Sequence, residues 1–68
     1  MEQFTERELE VLHLLLQGFN NKEISHKLFI SNHTTKAHVA SIYKKLDVTN
    51  RVQAAIKSVK LGFANHID

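Results

Sequence analysis

Between Asn32 and Leu46 the chain carries His33, Lys36, His38, Lys44 and Lys45 and no acidic residue. A run of one charge sign has one clear use, contact with a polyanion, and one bland use, a solvated face. Spacing bears on the choice. At 100° per residue on a helix, His33, Ala37, Ala40 and Lys44 fall on one side. Lys36 and Ser41 flank that side, with Thr34 and Lys45 further round. Small side chains at the centre and cations at the edges suit a helix entering a DNA major groove about 12 Å wide. A helix facing only water is free to carry long Glu and Lys side chains there. Lys36 can serve as base reader or phosphate contact, most lysine contacts being to phosphate. Other chemistry has no residues to carry it. There is no Gly-rich phosphate loop, no triad, and too little chain to enclose a pocket, so an enzyme is not expected. The five histidines, His13, His26, His33, His38 and His66, contain no i, i+4 pair, and cysteine is absent. Neither a metal site nor a cofactor is therefore expected.

The elements that hold this helix must come from 68 residues, which make one domain, 1–68. A chain of that size buries only roughly 60% of its unfolded surface. With no cysteine, no proline and two glycines, it has no staple and few long loops, which leaves regular all-α packing. Charge is divided along the chain. Residues 1–21 hold one arginine against four glutamates, a net −3, and residues 22–68 hold eight basic against three acidic residues, a net +5. No segment approaches the ~18 apolar residues of a membrane span, and Met1-Glu2-Gln3 does not open a signal peptide. A soluble cytoplasmic protein is expected.

Four helices follow from their punctuation. Thr5 and Glu8 have capping-box spacing, with Phe4 and Leu9 placed for a hydrophobic staple. Leu9, Leu12 and Leu16 recur at helical spacing, widened by Val11 and Leu15, and Gly18 closes the helix. Asn20 and Glu23 form a second box ahead of Ile24 and Leu28. Phe29-Ile30-Ser31 leaves room only for a tight turn, with Ser31 capping the third helix. Short helix, tight turn and longer helix outline a helix-turn-helix. In the third helix Thr35, Val39, Ile42 and Leu46 form the core stripe. Asn50 and Gln53 give a third box, and Gly62 marks an end. Val52, Ala55, Ile56, Val59 and Phe63 lie on one side of this last helix, with Ala54, Ser58 and Leu61 on the far side.

The ordered series Phe4-Thr5-Glu6-Arg7-Glu8-Leu9-Glu10-Val11-Leu12, Gly18, Asn21-Lys22-Glu23-Ile24, Ile30-Ser31, Thr34, Lys36, His38, Lys45-Leu46, Val48, Arg51 and Ala54 resembles the LuxR-type helix-turn-helix domain. That domain is the output unit of NarL/FixJ response regulators and occurs alone in GerE-like proteins. The likeness covers residues 4–63. It implies a compact four-helix DNA-binding domain in which helix three is the recognition helix. By the resemblance Lys36, Ala37 and Ala40 face bases. Asn21, Lys22, Thr34, His38, Lys44, Lys45 and Arg51 lie near phosphates, though Arg51 equally fits a turn support. Three positions depart from the pattern. Thr35 stands on the core stripe where the family has valine, so its hydroxyl must find a partner or point into solvent. Ser25 replaces a small apolar residue. Ala40, often longer and polar in relatives, leaves a methyl contact to thymine as its chemistry.

The expected function is sequence-specific binding of double-stranded DNA in transcription regulation. The chain then serves as the output domain of a two-component response regulator or as a stand-alone regulator. One copy reads few bases, so a homodimer on two half-sites is expected, with helix four as the dimerisation helix and Ala54, Ser58 and Leu61 at its interface. Further partners are a receiver domain on the same full-length chain and RNA polymerase. The competing reading is a protein-interaction module that keeps the helix-turn-helix fold and docks through Leu61 and the acidic first helix.

Overall fold

The computed structural model describes residues 3–63. Helices α1 (Glu6–Leu16), α2 (Asn21–Leu28), α3 (Asn32–Leu46) and α4 (Arg51–Lys60) follow one another, with no strand among the described residues. His66 lies outside them.

Helix starts are set by local hydrogen bonds. The Thr5 hydroxyl accepts from the Glu8 N–H at 3.1 Å, and the Thr5 N–H donates to Glu8 Oε1 at 2.8 Å. Asn20 and Glu23 repeat the exchange at 2.8 and 2.9 Å. Such caps contribute about 1 kcal/mol each by satisfying N–H groups that the first turn leaves unpaired. The third box is only half made. Asn50 Oδ1 accepts from the Gln53 N–H at 2.9 Å, but Gln53 Oε1 accepts from the Thr49 N–H and hydroxyl, at 2.9 and 3.0 Å, one residue before the cap. Left-handed residues follow the helices. Gly18 (φ 101°) and Gly62 (φ 86°) fill this role as expected, while Phe29 (φ 56°) and Asp47 (φ 59°) fill it without glycine.

Helix α3 is the hub and packs against each of the other three helices. Its buried stripe is Thr35, Val39, Ile42 and Leu46, the expected set. The Thr35 hydroxyl is satisfied by donating to Ser31 O at 3.0 Å, and the buried Ser25 hydroxyl donates to Lys22 O at 2.7 Å. Opposite α3 stand Val11, Leu12 and Leu15 of α1 and Ile24 of α2. The α1 stripe is centred on these three rather than on Leu9 and Leu16, which are half-buried. Phe4 places its ring edge-on to Phe63, with centroids 5.3 Å apart.

Helix α4 is turned over relative to the sequence expectation. Ala54 and Ser58 are fully buried, whereas Val52, Ile56 and Val59 are 69%, 54% and 65% exposed. Ala54 and Ser58 therefore cannot line a surface between copies. Leu61 sits at the C-cap, 40% exposed, outside the stripe of Val52, Ile56 and Val59. The physical reason is volume. Leu12, Leu15, Ile42 and Leu46 already fill the core, so α4 seats closely only through small side chains. Ranking faces by hydrophobicity puts the larger side chains inward and inverts the helix.

One ionic contact fixes α1 against α3. The Glu8 carboxylate is 4% exposed. Oε1 accepts from Lys45 Nζ at 2.7 Å and from the Thr5 N–H at 2.8 Å, and Oε2 accepts from the Ser41 hydroxyl at 2.5 Å. Burial alone raises the carboxyl's pKa. The hydrogen bonds from Lys45, Ser41 and Thr5, with the Lys45 charge, outweigh burial and hold it at about 2, against an ordinary 4.5. Because the folded value lies below the unfolded one, this contribution is present above pH 4.5 and is lost as pH falls toward 2. Unfolding titrations should show stability dropping by about 1–2 kcal/mol across that window, less than the full shift because the Lys45 end is partly solvated. In Glu8→Gln that pH-dependent part should disappear, and an unaltered profile would contradict the pairing. A second expectation concerns the buried Ser58 hydroxyl, which has no hydrogen-bond partner. Ser58→Ala should raise stability by about 0.5–1 kcal/mol in thermal unfolding, and a loss would point to a partner.

Candidate nucleic-acid interface

The outward side of α3 is set by what its other side must bury. With Thr35, Val39, Ile42 and Leu46 in the core, Asn32, His33, Lys36, Ala37, Ala40 and Lys44 are exposed. Thr34, His38 and Ser41 are half-buried along the flanks. Thr34 is held by Ser31, whose hydroxyl donates to Thr34 Oγ1 at 2.9 Å and accepts from the Thr34 N–H at 3.0 Å. The first turn of α3 has no acidic residue, so the positive end of the helix dipole faces outward uncompensated by a carboxylate.

Beside that end lies a shallow concavity lined by Asn20, Asn21, Lys22, Asn32, Lys36 and Arg51. None of these side chains is acidic. Four expected site residues, Asn21, Lys22, Lys36 and Arg51, are thus brought together although they come from α2, α3 and α4. Backbone N–H groups at a helix start and ammonium groups are the chemistry that holds a phosphate. Asn20, read in the sequence only as a cap, and Asn32 also belong to this cradle and were not among the expected site residues. Their cap and first-turn positions were the available signal.

Two expected phosphate ligands do other work. Lys45 is turned away, its Nζ lying 2.7 Å from Glu8 Oε1 and 3.0 Å from Gln3 O, with the side chain only 16% exposed. Its ammonium also stands 5.8 Å above the Phe4 ring. Lys45 follows Lys44 by 100° of helix rotation, enough to carry it from the outer face to the α1 seam. A charge already paired and largely withdrawn from solvent is a poor phosphate ligand, which argues against the expected contact of Lys45 with DNA. Arg51 Nη2 donates to Leu15 O at 2.6 Å and to Phe19 O at 2.5 Å. This favours the turn-support alternative over phosphate contact. Arg51 ties the start of α4 to the end of α1 and so braces the loop that leads into Asn20, Asn21 and Lys22.

Residues 2–58 match the model of the bacterial regulatory proteins of the luxR family. The transcriptional regulatory protein LnrK of Bacillus subtilis (strain 168) is 57% identical over 58 residues, covering 85% of this chain and 26% of that protein. The nitrate/nitrite response regulator protein NarP of Escherichia coli (strain K12) is 52% identical over 52 residues, covering 76% and 24%. A crystal structure of the response regulator ChrA of a heme-sensing two-component system superposes with a TM-score of 0.87 at 38% identity, covering 93% of this chain and 31% of that one. The chain spans about a quarter of the length of the curated relatives it matches.

The brace makes a distinguishing prediction. Arg51→Lys keeps a positive charge but has no planar fork to bridge two carbonyls. It should lower stability by about 1–2 kcal/mol in chemical unfolding. A variant as stable as the parent would return Arg51 to the phosphate-facing set.

Proposed function

The chain belongs to the luxR family of bacterial regulatory proteins, and from that premise we propose a sequence-specific reader of double-stranded DNA, the output domain of a two-component response regulator. DNA-binding transcription regulation is the family's work, and it is not enzymatic. The observation that carries the finer reading is the acid-free outer side of α3, small at Ala37 and Ala40, running into the cradle of Lys22 and Lys36.

In this reading α3 enters the major groove. Lys36 donates to the acceptor edge of a guanine, while the methyl groups of Ala37 and Ala40 meet thymine methyls. Asn21, Lys22, Thr34, His38 and Lys44 fix the register on phosphates, which carry affinity but little sequence information. Arg51 acts by positioning Asn21 and Lys22. Two copies bind two half-sites, spaced about one helical turn apart. The second copy meets the exposed stripe of Val52, Ile56 and Val59 on α4, in place of Ala54 and Ser58. A receiver domain on the same full-length chain governs that pairing, and RNA polymerase is the downstream partner. Action on a bacterial chromosome places the protein in the cytoplasm. Among the described residues no helix is long and apolar enough to cross a membrane.

Duplexes selected by this chain from a randomised pool test the reading. Affinity should fall steeply with salt, and Lys22→Ala should reduce the log–log slope by about 1 on any sequence. Lys36→Ala should instead lose about 1–3 kcal/mol on selected duplexes and little on random ones. No binding at low salt would overturn the proposal in favour of a protein-docking module. For the second copy, Ile56→Lys should leave single-site binding intact and abolish cooperativity on paired sites. Cooperativity equal to the parent's would remove the α4 stripe from the dimer.

A further inference from the structure

Phe29 stands at the turn between α2 and α3 in a conformation that costs the free domain twice. Its backbone is left-handed, with φ 56° and ψ 43°, a region that favours glycine or asparagine and strains a bulky side chain. Its side chain is 95% exposed, the most exposed large apolar residue described. The fold requires a left-handed residue here so that the Ile30 N–H can reach Ser25 O at 3.1 Å. Nothing in the fold requires an aromatic ring. Single exposed apolar residues are ordinary, but one that also carries backbone strain points to a use outside the fold.

The surroundings say what would cover it. Lys22 and His26 stand at i and i+4 on α2, and Phe29 follows as the left-handed cap of that helix. Lys22 belongs to the cradle with Lys36, and His26 and Phe29 line a second shallow concavity with Ser25 and Ile30. Two residues beyond Phe29, Ser31 caps α3. Glu23, the acidic residue of α2, is committed through Oε1 to the Asn20 N–H at 2.9 Å. Lys27, further round α2, stacks over Phe19 at 4.5 Å. The ring therefore stands beside the side of α2 on which Lys22 runs into the DNA-facing cradle. A DNA backbone offers the matching alternation, phosphates for the cations and apolar deoxyribose edges for the ring.

We infer that Phe29 is a DNA contact, packing its ring on deoxyribose beside the phosphates held by Lys22 and His26. This rests on the DNA-binding reading above and adds an apolar, sequence-tolerant clamp to it. The clamp also explains why strain persists at the turn, since stability is exchanged for contact.

The test uses the 68-residue chain and a duplex that the parent selects from a randomised pool. Phe29→Gly and Phe29→Asn both suit the left-handed backbone and remove the ring. Both variants should melt at the parent's temperature or a few degrees above it. Both should bind the duplex about 5- to 10-fold more weakly at every salt concentration, with the log–log salt slope unchanged because no phosphate contact is lost. Phe29→Leu should keep most of the affinity. If the parent binds and both ring-less variants bind within twofold of it, the inference fails while the DNA-binding reading stands, and a protein partner becomes the occupant of the ring. If the parent selects no duplex, both fall together.

Discussion

A buried carboxylate and a lysine 37 residues further along hold the two longest helices in one relative rotation. Glu8 does two jobs at once, closing the cap of α1 through the Thr5 N–H and receiving Ser41 and Lys45 from α3. Rotation matters more here than distance. Were α3 turned by one residue about its axis, Thr35, Val39, Ile42 and Leu46 would leave the core and a different set would face outward. The ion pair, on the flank of α3, and the apolar stripe specify the same rotation. Between them they present Lys36, Ala37 and Ala40 together. A nearly dry ion pair is a modest source of stability but a good source of register, because its alternatives leave a buried charge unpaired.

The same logic divides what could be read in the sequence from what could not. Caps at Thr5, Asn20 and Ser31 were legible because donor and acceptor are three residues apart, and the α3 stripe because helical period and core periodicity coincide. The partner of Glu8 was not legible, since nothing local relates a first-turn glutamate to a lysine in another helix. The brace of Arg51 onto Leu15 and Phe19 spans 32 to 36 residues and was only one of two alternatives in the sequence. Helix α4 inverts the sequence expectation for a different reason. Its larger apolar side chains face out and its small ones face in, so a rule that seats the most hydrophobic face inward selects the wrong side. The left-handed backbone at Phe29 and Asp47 was not legible, because neither is glycine and backbone geometry can demand such a residue where the sequence supplies none.

Charge is sorted by element as well as by sign. The carboxylate of Glu8 is sequestered beside Lys45 and that of Glu23 is held in a cap, so neither stands free in the cradle of Lys22 and Lys36. A modest net charge of +2 thereby coexists with a strongly one-signed local field. Long-range repulsion between copies stays small while attraction to a polyanion at short range stays large, because the Debye length of about 8 Å at physiological salt screens the whole and spares the contact.

The ring contact between Phe4 and Phe63 has a consequence for geometry at a larger scale. It draws positions 59 residues apart in sequence to a centroid separation of 5.3 Å, so the path of the described chain begins and ends at nearly one place. An object closed in this way is a pendant, hung from a single point. Modules of this kind can be appended, exchanged or recut at new termini with little disturbance, because no span of the fold separates the two points of attachment.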